Sequence, residues 1–157
     1  MNIFVLHLIP SIAAIYHCDK HVVKMILEYA QIMCTIHRLS GDEDDTLYRK
    51  THQNHPACVW ARKCTANYNW LYSLFCECCK EYTYRYGKIH KTQTRLMSYL
   101  KVVPENVPYS QMMTPFAECM PDYCKEEDPV SSYRNYYLKE KSHILKWKQR
   151  DVPEFAI

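Results

Sequence analysis

Only two glycines, Gly41 and Gly87, occur in a chain of 157 residues, where average usage of ~7 % would supply about eleven. A phosphate-cradling loop of the Gly-x-Gly-x-x-Gly or Walker type needs several glycines within one turn, so both are excluded. Glycine also fills the left-handed turn positions of hairpin-rich sandwiches and barrels, which this chain lacks the means to build. With 48 % apolar and 24 % charged residues, it reads as a single compact all-α domain over residues 1–157.

The pattern predicts three or four main helices behind a short N-terminal strand or arm at residues 3–8. No Gly or Pro interrupts residues 11–38, where apolar residues recur at helical spacing (Val22, Val23, Ile26, Leu27, Ala30, Met33, Cys34). Asp19 can re-cap this segment internally, dividing it in two. Ser40-Gly41 and the run Asp42, Glu43, Asp44, Asp45 mark a solvated loop. Pro56 opens a second long helix at its favoured first position, and Gly87 closes it, a span of ~30 residues or roughly 45 Å. A third helix is expected over residues 89–101. A proline-punctuated connection with one short turn at residues 116–120 follows. A fourth helix, capped by Asp128-Pro129, is expected to run to about residue 148.

Nine cysteines cannot all pair internally. The N-terminus lacks the basic start of a secretory signal, and no stretch reaches the ~18–20 apolar residues of a membrane span. The expectation is a cytoplasmic protein, with the nucleus of a host cell as a variant, whose cysteines act as small buried hydrophobes.

The densest chemistry lies at His17, His21, Lys24, Glu28, Gln31, Thr35 and Arg38, spaced 4, 3, 4, 3, 4, 3. On one helix these form a single stripe. A solvent-facing stripe is the plain reading, but histidine is a poor choice for ordinary surface. Two imidazoles, an amine and a carboxylate supply an acid, a base and an electrostatic stabiliser, so the candidate catalytic residues are Glu28, His21, Lys24 and His17. The same histidines at i and i+4 can chelate zinc, as can His52-x-x-His55, Cys76-x-x-Cys79 and Cys119-x4-Cys124. No two of these pairs show a zinc-module spacing, so no metal or cofactor is assigned. Cys18, beside His17 and near a helix start, is a weaker nucleophile candidate; a serine elbow is excluded by the glycine count.

The net charge of +3 is mild, but the charges are polarised. Residues 80–101 carry six cations against Glu81 alone, and residues 131–150 six against Glu140 alone. Within them, residues 81–88 and 133–139 hold six of the fourteen tyrosines. Cations neutralise phosphates and Tyr rings stack on bases. Lys20, Arg85, Lys88, His90, Lys91, Arg134, Tyr137 and Lys141 are therefore the candidate contacts to nucleic acid or a nucleotide. Against this stands a plain alternative, in which the tyrosines pack between helices.

The blocks Met1-Asn2-Ile3-Phe4-Val5-Leu6, His17-Cys18-Asp19-Lys20-His21-Val22-Val23-Lys24-Met25, Asn54-His55-Pro56, Glu81-Tyr82-Thr83-Tyr84-Arg85-Tyr86-Gly87-Lys88 and Tyr133-Arg134-Asn135-Tyr136-Tyr137 resemble a family of short proteins from tailed phages and large DNA viruses. In layout the chain is more distantly similar to the phage-type pyrimidine-dimer DNA glycosylases. Both have an apolar N-terminal arm, a helix with His and Glu seven residues apart (here His21 and Glu28), a long middle helix and a Tyr-rich basic C-terminal segment. That resemblance implies base excision and strand nicking, with an α-amine as nucleophile and the glutamate assisting at the sugar. Glu28 would be the carboxylate, and His21 and Lys24 would face DNA. The chain departs from the pattern twice. Asn2 is bulky enough to keep Met1 in place, so either Met1 supplies the amine or Lys20 or Lys24 replaces it, and Leu27 stands where an arginine is expected beside the glutamate. A non-catalytic binder of nucleic acid or a nucleotide is the first alternative. A zinc-stabilised interaction protein is the second.

Overall fold

The computed structural model describes residues 1–157 and is all helical. Six α-helices run α1 Pro10–Tyr16, α2 Asp19–Leu39, α3 Pro56–Ala61, α4 Thr65–Tyr86, α5 Lys91–Leu100 and α6 Pro129–Glu140. Short 3-10 turns follow at Asp122–Cys124, Ser142–Ile144 and Glu154–Ala156. Helix α4 is the centre, packed along both α1 and α2. Its Leu71, Leu74, Phe75 and Cys78 and the Ile26, Tyr29, Ala30 and Met33 of α2 are all buried in one core. No helix is long and apolar enough to cross a membrane. All nine cysteines are free, seven of them buried, and no three His, Cys, Asp or Glu residues converge as a metal-binding group.

The N-terminal segment is an arm, not a strand. Asn2 to Leu6 are buried, but their polar groups are met by side chains and scattered carbonyls in place of a ladder. The Phe4 N–H donates to the Tyr29 hydroxyl at 3.2 Å, Arg134 Nε to the Leu6 carbonyl at 3.0 Å and Trp70 Nε1 to the Leu8 carbonyl at 2.8 Å. A buried segment must find such partners or lose the desolvation energy of each group.

One expected division is found, and two expected helices are divided or cut short by tertiary contacts. The 11–38 segment splits at His17-Cys18, with Asp19 opening α2. The long middle helix breaks at residues 62–64. There Asn67 Nδ2 donates to the Trp60 carbonyl, and the Thr65 N–H turns to the carbonyl of Pro108 in the proline-rich connection. Gly87 does close α4 in the left-handed conformation, at φ +66°. Helix α6 ends at Glu140, eight residues early, because the following segment is captured by the α1–α2 turn. The Asp19 N–H donates to the Lys146 carbonyl at 2.8 Å, and the Lys148 N–H returns to Asp19 Oδ1 at 2.9 Å. In the connection the helical turn lies at Asp122–Cys124 and not at 116–120; Phe116 instead packs between Trp60 and Trp70.

Candidate active site

The first turns of α2, the arm and the C-terminal segment meet at a cavity of about 180 Å³. Met1, Lys24 and Glu28 line it together with His21, Tyr136 and Lys141. The Glu28 carboxylate is shared between two amines: Oε2 lies 3.6 Å from the Met1 α-amine and Oε1 lies 3.2 Å from Lys24 Nζ. The two amines differ in setting, since the Lys24 side chain is 68 % exposed and that of Met1 only 3 %.

The chain start is held in place by Asn2. Its Nδ2 donates to the Cys119 carbonyl at 2.8 Å, while Oδ1 accepts from the Ile3 N–H at 2.8 Å and lies 3.0 Å from the Tyr133 hydroxyl. Phe4 then wedges into an aromatic cluster, its ring centroid 4.3 Å from His21 and 5.4 Å from Tyr137. These contacts leave the amine little freedom of position.

The hydrogen-bond network assigns the His17 tautomer. His17 Nδ1 lies 2.6 Å from the Ala13 carbonyl, which can only accept, so Nδ1 carries the proton. Its Nε2 therefore accepts from the Tyr29 hydroxyl at 2.6 Å. His21 Nδ1 lies 2.6 Å from the Tyr137 hydroxyl, which also meets Cys18. The His21 ring lines the cavity beside Lys24 and Glu28. Both rings are neutral: burial pulls His17 down to about 4, and burial, with the positive charges of Lys141 and Lys24 nearby, pulls His21 down to about 3.

Several expected contacts sit elsewhere. His17 is wholly buried in the α1–α2 turn, off the α2 stripe, with both nitrogens committed, so it supports the site from beneath and cannot reach a substrate. The Arg85 guanidinium is buried and bonded to Glu81 Oε1 at 2.7 Å, Asp19 Oδ1 at 2.9 Å and the Ile15 carbonyl at 2.9 Å, leaving nothing for a phosphate. Tyr137 is fully buried under His21 and cannot stack on a base. Arg134 binds the arm and lies over the rings of Tyr16 and Phe155. His90 is spent capping α5, where its Nδ1 accepts from the Thr92 N–H. Cys18 is buried, and burial pushes its thiol up, away from thiolate. Lys20, Lys88 and Lys91 are exposed, and Lys141 lines the cavity with its Nζ 5.1 Å from the Tyr136 ring centroid.

Sequence reasoning nominated neither Asn2, Phe4 nor Tyr136. The signal for Asn2 was a polar side chain inside an otherwise apolar run. His55, at the N-terminus of α3, was read only as a zinc candidate. Its ring feels the charges of both the α-amine and Glu28, and its Nδ1 accepts from the Ala57 N–H.

A carboxylate between two amines, beside a neutral imidazole and a second lysine, is suited to amine chemistry on an anionic substrate. Comparison with known proteins gives one result. The family model described as pyrimidine dimer DNA glycosylase matches residues 1–94. No curated protein matches, and no solved structure matches. The likeness to short phage and viral proteins finds no support there. The matched residues include Met1, His21, Lys24 and Glu28, whereas Cys119, Tyr136 and Lys141 on the facing wall lie beyond them.

Proposed function

The chain belongs to the pyrimidine dimer DNA glycosylase family, and from that premise we propose that it excises a damaged pyrimidine and nicks the strand, using the Met1 α-amine as nucleophile and Glu28 as its acid–base partner. The observation that carries this reading is the 3.6 Å approach of the Met1 amine to Glu28 inside the cavity.

Glu28 takes a proton from the ammonium, freeing the nitrogen lone pair to attack C1′ of the damaged nucleotide. The C1′–N1 bond breaks, and its electron pair leaves with the pyrimidine, which takes up a proton. Opening of the sugar, with O4′ protonated as it departs from C1′, leaves an imine between Met1 and C1′. Loss of a C2′ proton then expels the 3′ phosphate and cuts the strand. As a class, α-amines are weaker bases than lysine side chains by two to three units, so an α-amine supplies far more free nucleophile at neutral pH. This favours Met1 over Lys24 and Lys20. His21 faces the extruded nucleotide, while Lys24 and Lys141 meet the flanking phosphates. Lys20, Lys88 and Lys91 extend that contact along the duplex.

Borohydride reduction on a duplex containing an abasic site or a thymine dimer tests the reading. A covalent protein–DNA adduct is expected, and peptide mapping should place it on Met1. Absence of an adduct together with an uncut strand overturns the enzyme in favour of a binder, and an adduct on Lys24 or Lys20 overturns the assignment of the nucleophile.

A further inference from the structure

A second cavity, of about 340 Å³, opens at the far end of α2, and its lining shares no residue with the cavity that holds Glu28. His37 and Asp42 bound it at the close of α2, and Tyr99, Val102, Val103 and Glu105 bound it around the end of α5. Two carboxylates and no lysine or arginine stand in these walls. The two arginines that grip the neighbouring acidic loop are engaged elsewhere. Arg38 is bonded to Glu43 and to the carbonyls of Asp42, Leu47 and Tyr48, and Arg95 to the carbonyls of Asp45 and Thr46. Neither forms an ion pair with Asp42 or Glu105.

In the cavity wall one row of polar groups is short of a proton. The Tyr68 hydroxyl lies 2.9 Å from the Leu100 carbonyl and 3.0 Å from His37 Nε2, and His37 Nδ1 lies 3.3 Å from Asp42 Oδ2. A hydroxyl and a neutral imidazole bring two protons to these three contacts. The longest of the three, between His37 Nδ1 and Asp42, is the one left as acceptor facing acceptor. His37 is 4 % exposed, and burial outweighs the nearby carboxylate to hold its ring neutral, below the usual histidine range. The Tyr99 hydroxyl donates to Asp42 Oδ2 at 2.7 Å and so holds that carboxyl below its usual range, and charged. A buried acceptor without a donor is costly, and this one borders open space.

We propose that this cavity binds an aliphatic primary amine, whose ammonium group donates to both His37 Nδ1 and Asp42 Oδ2 while its carbon chain lies along Tyr99, Val102 and Val103. An ammonium brings three donors and no acceptor, which is what the proton-short contact lacks. The Tyr99 ring adds the attraction of an aromatic face for a cation. Glu105 supplies a second carboxylate, so a diamine is favoured over a monoamine. Two carboxylates without a cation repel phosphate, which separates this site from any contact to DNA. The inference does not draw on the glycosylase reading and stands or falls apart from it.

Calorimetric titration of the full chain with putrescine, its hexamethylated counterpart, butylamine and N-acetyl-lysine amide tests the proposal. Putrescine is expected to bind, and the methylated form, equal in charge but without an N–H, to bind about tenfold more weakly. Asp42→Asn should also weaken putrescine about tenfold, because it removes the charge and its own amide can donate to His37 Nδ1. Glu105→Gln, an exposed substitution, should weaken putrescine about threefold and leave butylamine unchanged. Nitrogen-15 spectra at neutral pH should show His37 neutral, with its Nδ1 resonance moving as putrescine is added. A charged His37, equal affinity for the methylated amine, or equal affinity in Asp42→Asn each overturns the proposal, as does the absence of binding by every amine. Binding of the lysine derivative without binding of putrescine upholds the ammonium site and assigns it to a lysine side chain of a protein partner.

Discussion

Asn2 and Cys119 stand 117 residues apart in sequence, and the side chain of the first donates to the backbone carbonyl of the second across 2.8 Å. That bond fixes where the chain begins. Removing it with Asn2→Ala leaves the Cys119 carbonyl short of a partner, while the Tyr133 hydroxyl keeps the Ala117 carbonyl at 2.6 Å, at a cost of about 1–3 kcal/mol. Excision should fall further than binding, because the amine loses its fixed distance from Glu28. Chemical denaturation and single-turnover excision measured on the same variant would show both effects.

Extending the chain by two residues before Met1 is a sharper intervention. The new terminus is carried out of a cavity of about 180 Å³, so imine trapping should vanish while the circular dichroism spectrum and DNA binding persist. Trapping that survives the extension would point to a lysine. Intact mass spectrometry of the native protein should show Met1 retained.

Glu28→Gln keeps the shape of the side chain but cannot take a proton from the amine. A loss of about 10²–10⁴ in turnover is expected with affinity for damaged duplex preserved. Parallel loss of affinity and rate would mean that Glu28 holds the fold and not the reaction.

The two buried histidines set an acid limit on stability. Their folded values, about 4 for His17 and about 3 for His21, lie below the ~6.5 of an unfolded histidine. Below pH 6.5 the unfolded chain therefore binds protons that the folded chain refuses, and stability drops as pH falls. The loss is about 2 kcal/mol per histidine between pH 6.5 and 5, and it ends once the folded values are passed. Denaturant midpoints across that interval should fall steeply for wild type, and less steeply for any His17 variant that still folds. A flat profile in wild type would contradict the neutral, buried state of both rings.

Arg85 and Lys88 separate structural from DNA-facing cations. Arg85→Met strands Glu81, which is 4 % exposed and would keep only Arg150, at a cost of about 3–5 kcal/mol. The slope of binding against salt should stay unchanged. Lys88→Ala should leave stability intact and reduce that slope by about 1. Reversed outcomes would return Arg85 to the DNA surface.

Local signals carried the reading of the fold where the chain's own backbone decides. Gly87 takes the left-handed conformation that ends α4, and Asp19 begins a new helix where an internal cap was expected. Reading failed where a distant segment supplies the hydrogen bonds. The Thr65 N–H leaves the helix ladder for Pro108, and the chain after α6 is drawn to Asp19; no periodicity within residues 55–87 or 129–148 encodes either contact. At the site, the spacing of His21, Lys24 and Glu28 was legible because one helix carries all three. Arg85 and Tyr137 misled because charge and hydroxyl content do not distinguish a solvated face from a buried network. The same burial that removes them from DNA gives His21 its hydroxyl partner and anchors the C-terminal segment.

The amine–carboxylate pair and the wall opposite it come from different stretches of chain. Met1 and Glu28 lie within residues 1–94, and Cys119, Tyr136 and Lys141 close the cavity from outside them. Substitutions on that wall can reshape what the cavity admits without moving the nitrogen or the carboxylate. On the proposed reading, lesion preference can therefore shift gradually, by changes in the enclosure that leave the amine and the carboxylate in place.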